Sequence, residues 1–405
     1  MANVLYITND GLTDPLGQSQ IIPYLQALSG EHNIHILACE KADAYEKNSE
    51  HVRGILNQSE ISWARVAYRN KPAVISSWLM QREVKKEAGK IIKRNNIDII
   101  HCRSYPASIT GMSLSEKFNI PFIFDMRGFW ADERVDRHIW NKKNPVFLFL
   151  YNYFKRKEKK LLAAASHIIT LTTKAKDILV EKYNVESNKI SVIPCAADLK
   201  YFKPQKSEVR KKYRNILGLK DDEKLLMYMG SIGSCYLLKE MLLFYKAGKN
   251  LIPGLKMAVF SSENNHSFIK ETAASIGIKE EELICKFLPR RELVKYLSAV
   301  DYSVMFFEKS FSIQGSSPTK HGELLGMNIP VVLNSDVGDL EDIVKEKNTG
   351  FVIRNFSKQE FEKAYRYLDV KSFSQEDFRF IAEKYYSLEK AVDSLNVIYN
   401  KLAGK

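Results

Sequence analysis

The sequence predicts an α/β protein built as two doubly wound parallel-sheet domains facing across a cleft, followed by a C-terminal helix. Three observations carry this. The chain has 405 residues, 45% of them hydrophobic, which is too long for one core and enough for two. Short, almost continuously apolar runs alternate with longer stretches of helical periodicity, the pattern of strands buried on both faces and joined by crossover helices. The alternation lapses once, around Pro204, into the polar "KPQKSEVRKKYRN", and then resumes.

The strands of the first series are expected at 4–8, 34–39, 64–68, 97–103, 121–127, 167–172 and 190–194. Those of the second are expected at 224–231, 255–262, 282–288, 301–307, 329–335 and 350–353. The polar lapse reads as a linker. The expected domains are therefore 1–204, 205–375 and a helical segment, 376–405, that packs back on the first domain. Ligands of such sheets bind beyond the carboxyl ends of the strands, so two facing units form a binding cleft.

Charge narrows the partners. Lys and Arg number 61 against 48 Asp and Glu, a net charge of +13. That favours an anion: nucleic acid, acidic lipid or a phosphorylated small molecule. The basic residues are dispersed and no nucleic-acid-binding module is present, so nucleic acid is not expected. Five scattered cysteines, with no Cys-x-x-Cys pair, argue against a disulfide framework or structural zinc and for a reducing cytoplasm. The start, "MANVLYITNDG", reads as a strand and a turn rather than a signal peptide. No run approaches the roughly 18 apolar residues of a membrane span.

The stretch "SSPTKHGELLGMNIPVV" (316–332) carries the candidate chemistry. Ser317 is expected to cap a helix whose first residue is Pro318. A helix N-terminus offers free N–H groups and about half a positive charge, a ready phosphate site. Lys320 adds a full charge, and Ser316 and Thr319 add hydroxyls. Glu323 shares a face with Thr319 and Lys320. An acid beside a phosphate site makes sense as the acceptor for a vicinal diol such as a ribose. Two further turns at strand ends, "YMGSIGSCY" (228–236) and "NDGLTDPLGQSQ" (9–20), are glycine-bearing and able to present N–H groups. Neither is a dinucleotide fingerprint or a Walker loop.

Here the chain resembles the retaining glycosyltransferases of the GT-B fold, in the family-4 type that builds bacterial surface polysaccharides and glycolipids. "ISVIPCAADLKYFKP" (190–204), "FLPRRELVKYLSAVDYSVMFF" (287–307) and "SPTKHGELLGMNIPVV" (317–332) are similar to its linker-proximal and donor-site segments. "HCRSYPASITG" (101–111) and "FDMRGFWADERV" (124–135) are similar to two segments lining its cleft. The resemblance implies two Rossmann-like domains and a UDP- or GDP-sugar donor. It implies Glu323 on the donor ribose and Ser316, Ser317, Thr319 and Lys320 around the diphosphate. Gly230 and Ser231 would lie opposite, with Gly17 reaching the same phosphates from the first domain. Two departures stand out. Gly315 occupies the place of a second glutamate eight residues before Glu323, and Ser231 stands where an arginine is common.

On the acceptor side, "DMRGFWADERVDRH" (125–138) supplies aromatic and acidic groups suited to sugar rings and hydroxyls. Trp130, Asp132 and Glu133, with Arg103 and Ser104, are the acceptor candidates. Asp125 and Arg127 join Lys320 as catalytic candidates. No Asp-x-Asp calls for a divalent metal, and no cofactor is expected. The expected reaction moves a sugar to a glycan or lipid-linked acceptor with retained configuration. The aromatic–basic stretch 147–160 and the basic stretch 81–96 point to an anionic membrane surface. Competing readings are a sugar-nucleotide epimerase of the same fold, a nucleic-acid-binding protein and a non-catalytic subunit.

Overall fold

In a computed structural model of the chain, residues 1–69 and 73–404 are described. They form two compact units, Met1–Cys195 with Leu388–Lys405, and Ala196–Ser387. The first holds a parallel sheet of β1 (Asn3–Thr8), β2 (Asn33–Glu40), β3 (Ser62–Ala67), β4 (Ile99–Arg103), β5 (Phe122–Asp125), β6 (His167–Thr170) and β7 (Ile190–Val192). The second holds β8 (Lys224–Met229), β9 (Leu255–Phe260), β10 (Leu283–Lys286), β11 (Tyr302–Met305), β12 (Val331–Asn334) and β13 (Gly350–Ile353). Their spatial orders are β3-β2-β1-β4-β5-β6-β7 and β10-β9-β8-β11-β12-β13.

In both orders the chain starts in mid-sheet, winds to one edge, returns and winds to the other. Each reversal leaves a crevice at the carboxyl ends of the central strands. Every expected strand is present, and both sheets are wholly parallel. The apolar runs explain it: β4, β5, β6, β11 and β12 are buried at every position. Three crossover helices stop at an asparagine in the left-handed region, Asn119, Asn184 and Asn348. That conformation closes a helix C-terminus at little cost to asparagine.

The domain boundaries differ from those expected. Ala197, Leu199 and Phe202 are buried in the second unit, Ala197 and Leu199 against Phe378, Ile381 and Tyr386. The division therefore falls after Cys195, ahead of Pro204. The polar stretch after Pro204 is no linker: Ser207–Ile216 is a helix. Its anchors are charged. Arg214, 6% exposed, donates to the Asp301 carboxylate at 3.2 Å and to the carbonyls of Lys220 and Glu223. Arg210 donates to the same carboxylate at 2.9 Å.

The C-terminal segment also divides. Helix Gln375–Tyr386 packs on helix Thr319–Gly326 within the second unit. Only helix Leu388–Leu402 joins the first unit, against helix Ile22–Leu28. There Tyr399 bonds His101 at 2.7 Å.

Candidate functional site

In the second unit, helix 319–326 begins just beyond a 3-10 turn at Ser312–Gly315. It starts at Thr319, one residue later than expected. Pro318 takes the cap position and contributes no side-chain bond. Ser317 therefore lies one residue ahead of the cap position. Ser316, Ser317 and Thr319 line the entry to the helix, partly exposed.

The helix is held by close contact rather than by polarity. A Cβ on Gly322 would meet the Tyr386 ring at 2.5 Å, and one on Gly326 would meet the Phe202 carbonyl at 2.6 Å. His321 is fully buried and shares a hydrogen bond with the Tyr386 hydroxyl at 2.8 Å. Burial pushes its imidazole down to about 3, so it is neutral and structural.

Lys320 does come together with Gly230, and Glu323 lies near enough to act on its charge. The Lys320 side chain runs to the end of β8. Its Nζ lies 4.5 Å from the Tyr236 ring centroid and donates to the Tyr236 hydroxyl at 3.3 Å. A second ring, Tyr228, lies 5.9 Å away. Gly230, at φ +133°, borders the same amine. Burial lowers the Lys320 ammonium below the ordinary lysine range, against the attraction of Glu323 and Cys235. A partly desolvated cation between two tyrosine faces is short of anionic partners, and a diphosphate would supply them. Ser231 is exposed at the turn, and its carbonyl accepts from the Tyr228 hydroxyl at 2.5 Å.

Glu323 faces Arg290, whose Nη1 lies 3.8 Å from its carboxylate. Arg290 also reaches Asp198 at 3.7 Å and stacks over Tyr201 and Phe202. Burial raises the Glu323 carboxyl above the ordinary range, with Arg290 and Lys320 opposing. Sequence reasoning missed both Arg290 and Tyr236. Tyr236 sits inside the quoted glycine turn, and Arg290 follows Pro289 at a helix start. Neither position carried a signal of its own.

In the first unit the turn after β1 is already occupied by an anion. The buried carboxylate of Glu40, at the end of β2, accepts from the amides of Leu12 (2.7 Å) and Thr13 (3.3 Å) and from the Thr13 hydroxyl (2.5 Å). Those two amides are therefore not available to a phosphate. Gly17 has a packing reason: a Cβ there would lie 2.1 Å from the Gly11 carbonyl.

Arg103, Asp125 and Arg127 meet at the ends of β4 and β5. Asp125 lies 3.8 Å from Arg103, 3.7 Å from Arg127 and 3.8 Å from His101 Nε2. Burial alone would raise the Asp125 carboxyl. Arg127, His101 and Arg103 overcome it and hold the carboxyl below the ordinary range. Arg103 also donates to Asp10 at 3.0 Å, and Arg127 to the Cys195 sulfur at 3.1 Å. A cavity of about 20 Å³ borders the cluster, room for one water. Asp125 and Arg103 are each 4% exposed, so Arg127 is the member of the trio nearest to solvent. Its backbone is left-handed at φ 57°, beside Gly128 at φ 110°. Ser104 is likewise left-handed, at φ 65°.

The other acceptor candidates have internal partners. Asp132 accepts from Tyr151 (2.9 Å) and Lys155 (2.8 Å). Glu133 pairs with Arg137 at 2.8 Å. Trp130 packs against Phe154, Trp140 and Tyr105, with Arg134 over its ring. Lys155 also bonds the buried Glu158, so Lys155 and Phe154 face inward.

This fold and site define a class, and comparison with known proteins agrees. The model Glycosyltransferase Family 4 matches residues 21–201, and Glycosyl transferases group 1 matches residues 209–379. The chain belongs to this glycosyltransferase family. A D-inositol 3-phosphate glycosyltransferase of Nocardia farcinica is 23% identical over 66% of the chain and 57% of its own length. The UDP-Gal:alpha-D-GlcNAc-diphosphoundecaprenol alpha-1,3-galactosyltransferase of Escherichia coli is 24% identical over 65% of the chain and 64% of its own. The chain thus spans less than two-thirds of these relatives. Among solved structures, a glycosyltransferase from Rickettsia africae matches with a TM-score of 0.70 at 16% identity, covering 99% of this chain and 98% of that one. The Anabaena HepE protein in complex with UDP and glucose matches at 0.69 and 12% identity, covering 98% and 99%. These two show the fold, that of the GT-B glycosyltransferases.

Proposed function

We propose that the chain transfers a sugar from a UDP- or GDP-sugar to a glycan or lipid-linked acceptor, with retained configuration and without a metal ion. The observation that carries it is the placement, within one turn of helix 319–326, of the Lys320 amine against Gly230 and of the Glu323 carboxylate. The amine and the helix N-terminus meet the diphosphate, and Glu323 accepts from the ribose hydroxyls. The named activity of the Escherichia coli relative and the UDP in the HepE crystals support the choice of donor.

Transfer breaks the bond between the anomeric carbon and the diphosphate oxygen. Charge develops on that oxygen, and Lys320 with the helix amides is placed to stabilise it without reorganising, one such donor being worth about 3 kcal/mol. The acceptor oxygen bonds to the same face of the sugar, and its proton passes to the departing phosphate. Arg127, with Asp125 and Arg103 behind it, serves the acceptor side. The five free cysteines suit a reducing cytoplasm.

A thermal-shift screen against UDP, GDP and their sugar conjugates, followed by a transfer assay with a sugar acceptor, tests this. Stabilisation by one nucleotide series and appearance of a glycosylated acceptor are expected. Sugar release or epimerisation with no acceptor product would contradict it.

A further inference from the structure

Helix Leu388–Leu402 belongs to the first unit and makes a polar contact beneath the Arg103–Asp125–Arg127 cluster. Its fully buried Tyr399 meets His101 of β4, with 2.7 Å between the phenol oxygen and the imidazole Nδ1. The imidazole is itself buried and gripped by rings. Tyr6 lies at a centroid distance of 4.7 Å and Tyr399, edge-on, at 5.8 Å. Packing fixes the plane of the imidazole. Which nitrogen holds the proton is set by the hydrogen bond the other makes.

Burial holds the Tyr399 phenol well above the ordinary tyrosine range, so its proton is in place at neutral pH. Among the described residues its hydroxyl has one hydrogen-bond partner, His101 Nδ1. A buried O–H with a single neighbour able to accept donates to it, because an unmade buried bond is the costlier arrangement. Nδ1 is then the acceptor, and the imidazole proton sits on Nε2. Nε2 faces the Asp125 carboxylate at 3.8 Å, too far for a direct hydrogen bond. Asp125 Oδ1 and His101 Nε2 are buried with no hydrogen-bond partner among the described residues. The cavity of about 20 Å³ is lined by both residues, by Arg103 and Arg127, and by Leu395, one turn before Tyr399. It has the size and the polar walls that one bridging water requires.

We propose that Tyr399 is a positioning residue for the transfer reaction: it fixes His101 as the Nε2–H tautomer, which through one water orients the Asp125 carboxylate behind Arg127. The Nε2 proton goes to the water, and the water donates to Asp125 Oδ1. The opposite tautomer turns a lone pair toward the carboxylate, so the water's protons face Nε2 and Asp125 loses a donor. Asp125 then holds Arg127 less firmly, and Arg127 is the member of the trio nearest to solvent. Tyr399 itself touches no reacting atom. A helix 298 residues away in sequence thereby acts on the acceptor side. The catalytic consequence, though not the hydrogen-bonded chain, rests on the transferase reading.

The test joins nitrogen NMR of the histidine-labelled full chain to steady-state kinetics. His101 signals are assigned by their loss in His101→Gln. The wild type at neutral pH should show a neutral His101 protonated on Nε2. Tyr399→Phe keeps the ring, and a cooperative melt shows that it is folded; it should admit the Nδ1–H tautomer. With the UDP- or GDP-sugar that stabilises the chain, its kcat should fall about fivefold, the worth of one neutral hydrogen bond. Donor KM and stabilisation by UDP or GDP should stay unchanged. In a His101→Gln background, Tyr399→Phe should cost nothing further. A wild-type His101 protonated on Nδ1, or on both nitrogens, overturns the proposal. So does a Tyr399→Phe chain with wild-type kcat, or one whose loss adds in full to that of His101→Gln, which marks the phenol as packing alone. An Nε2–H tautomer that Tyr399→Phe abolishes, in a chain that transfers no sugar, supports the hydrogen-bonded chain and contradicts the transferase reading alone.

Discussion

A Cβ placed on Gly230 would lie 1.9 Å from Nζ of Lys320. The strand-end glycine and the helix lysine are thus one device: the missing side chain is the space the amine fills. Gly230→Ala should displace Lys320 and strain a backbone at φ +133°. A loss of about 1–3 kcal/mol of stability is expected, and with it the stabilisation by nucleoside diphosphate. Thermal melts with and without UDP or GDP check this.

Lys320→Met keeps the packing against Tyr236 and removes the charge. Turnover should fall about 100- to 1,000-fold with the melting temperature nearly unchanged. Addition of a metal chelator should leave the wild-type rate unaltered. Steady-state rates for both proteins decide each point.

The pH dependence follows from burial of the same amine. A lysine whose folded pKa lies below its unfolded value of 10.5 costs stability while charged, and that cost is relieved as pH rises through the folded value. Bound diphosphate favours the charged form and draws a proton in. Nucleotide affinity should therefore decline on an alkaline limb centred below 10.5, and Lys320→Met should abolish that limb. Titrations across alkaline pH show whether it exists.

Glu323 shifts the other way. Its carboxyl is raised above 4.5, so stability falls as pH rises from 4.5 to the raised value and the full cost of ionising it is present above that. Glu323→Gln should leave the fold at least as stable at neutral pH. It should weaken nucleotide binding roughly 10- to 100-fold, since a hydrogen bond to a charged group is worth about 1.5–3 kcal/mol. Calorimetry and melts on one variant separate the two effects.

In the first unit, Glu40 ties β2 to the turn after β1. Glu40→Ala leaves two amides and the Thr13 hydroxyl without their acceptor. A loss of about 2–4 kcal/mol is expected, more than for Glu40→Gln. Denaturant unfolding measures both.

Strands were legible because burial on both faces writes itself as a continuous apolar run. Helix Ser207–Ile216 was not, because its anchors are Arg210 and Arg214 on Asp301, and charged anchors look like solvent-facing residues. The pairing of Lys320 with Glu323 on helix 319–326 was legible because the two lie within one turn. Arg290, Tyr236 and Glu40 were not, since each acts on a partner distant in sequence. Asp132 and Trp130 looked ligand-facing until Lys155, Tyr151 and Phe154, a helix away, supplied their partners.

Calorimetric titration of the wild type and of Lys320→Met with UDP and with GDP tests the central claim most directly. The account predicts that one of the two nucleotides binds the wild type and that the variant loses at least tenfold in affinity. Binding of neither nucleotide, or equal affinity in both proteins, would contradict it.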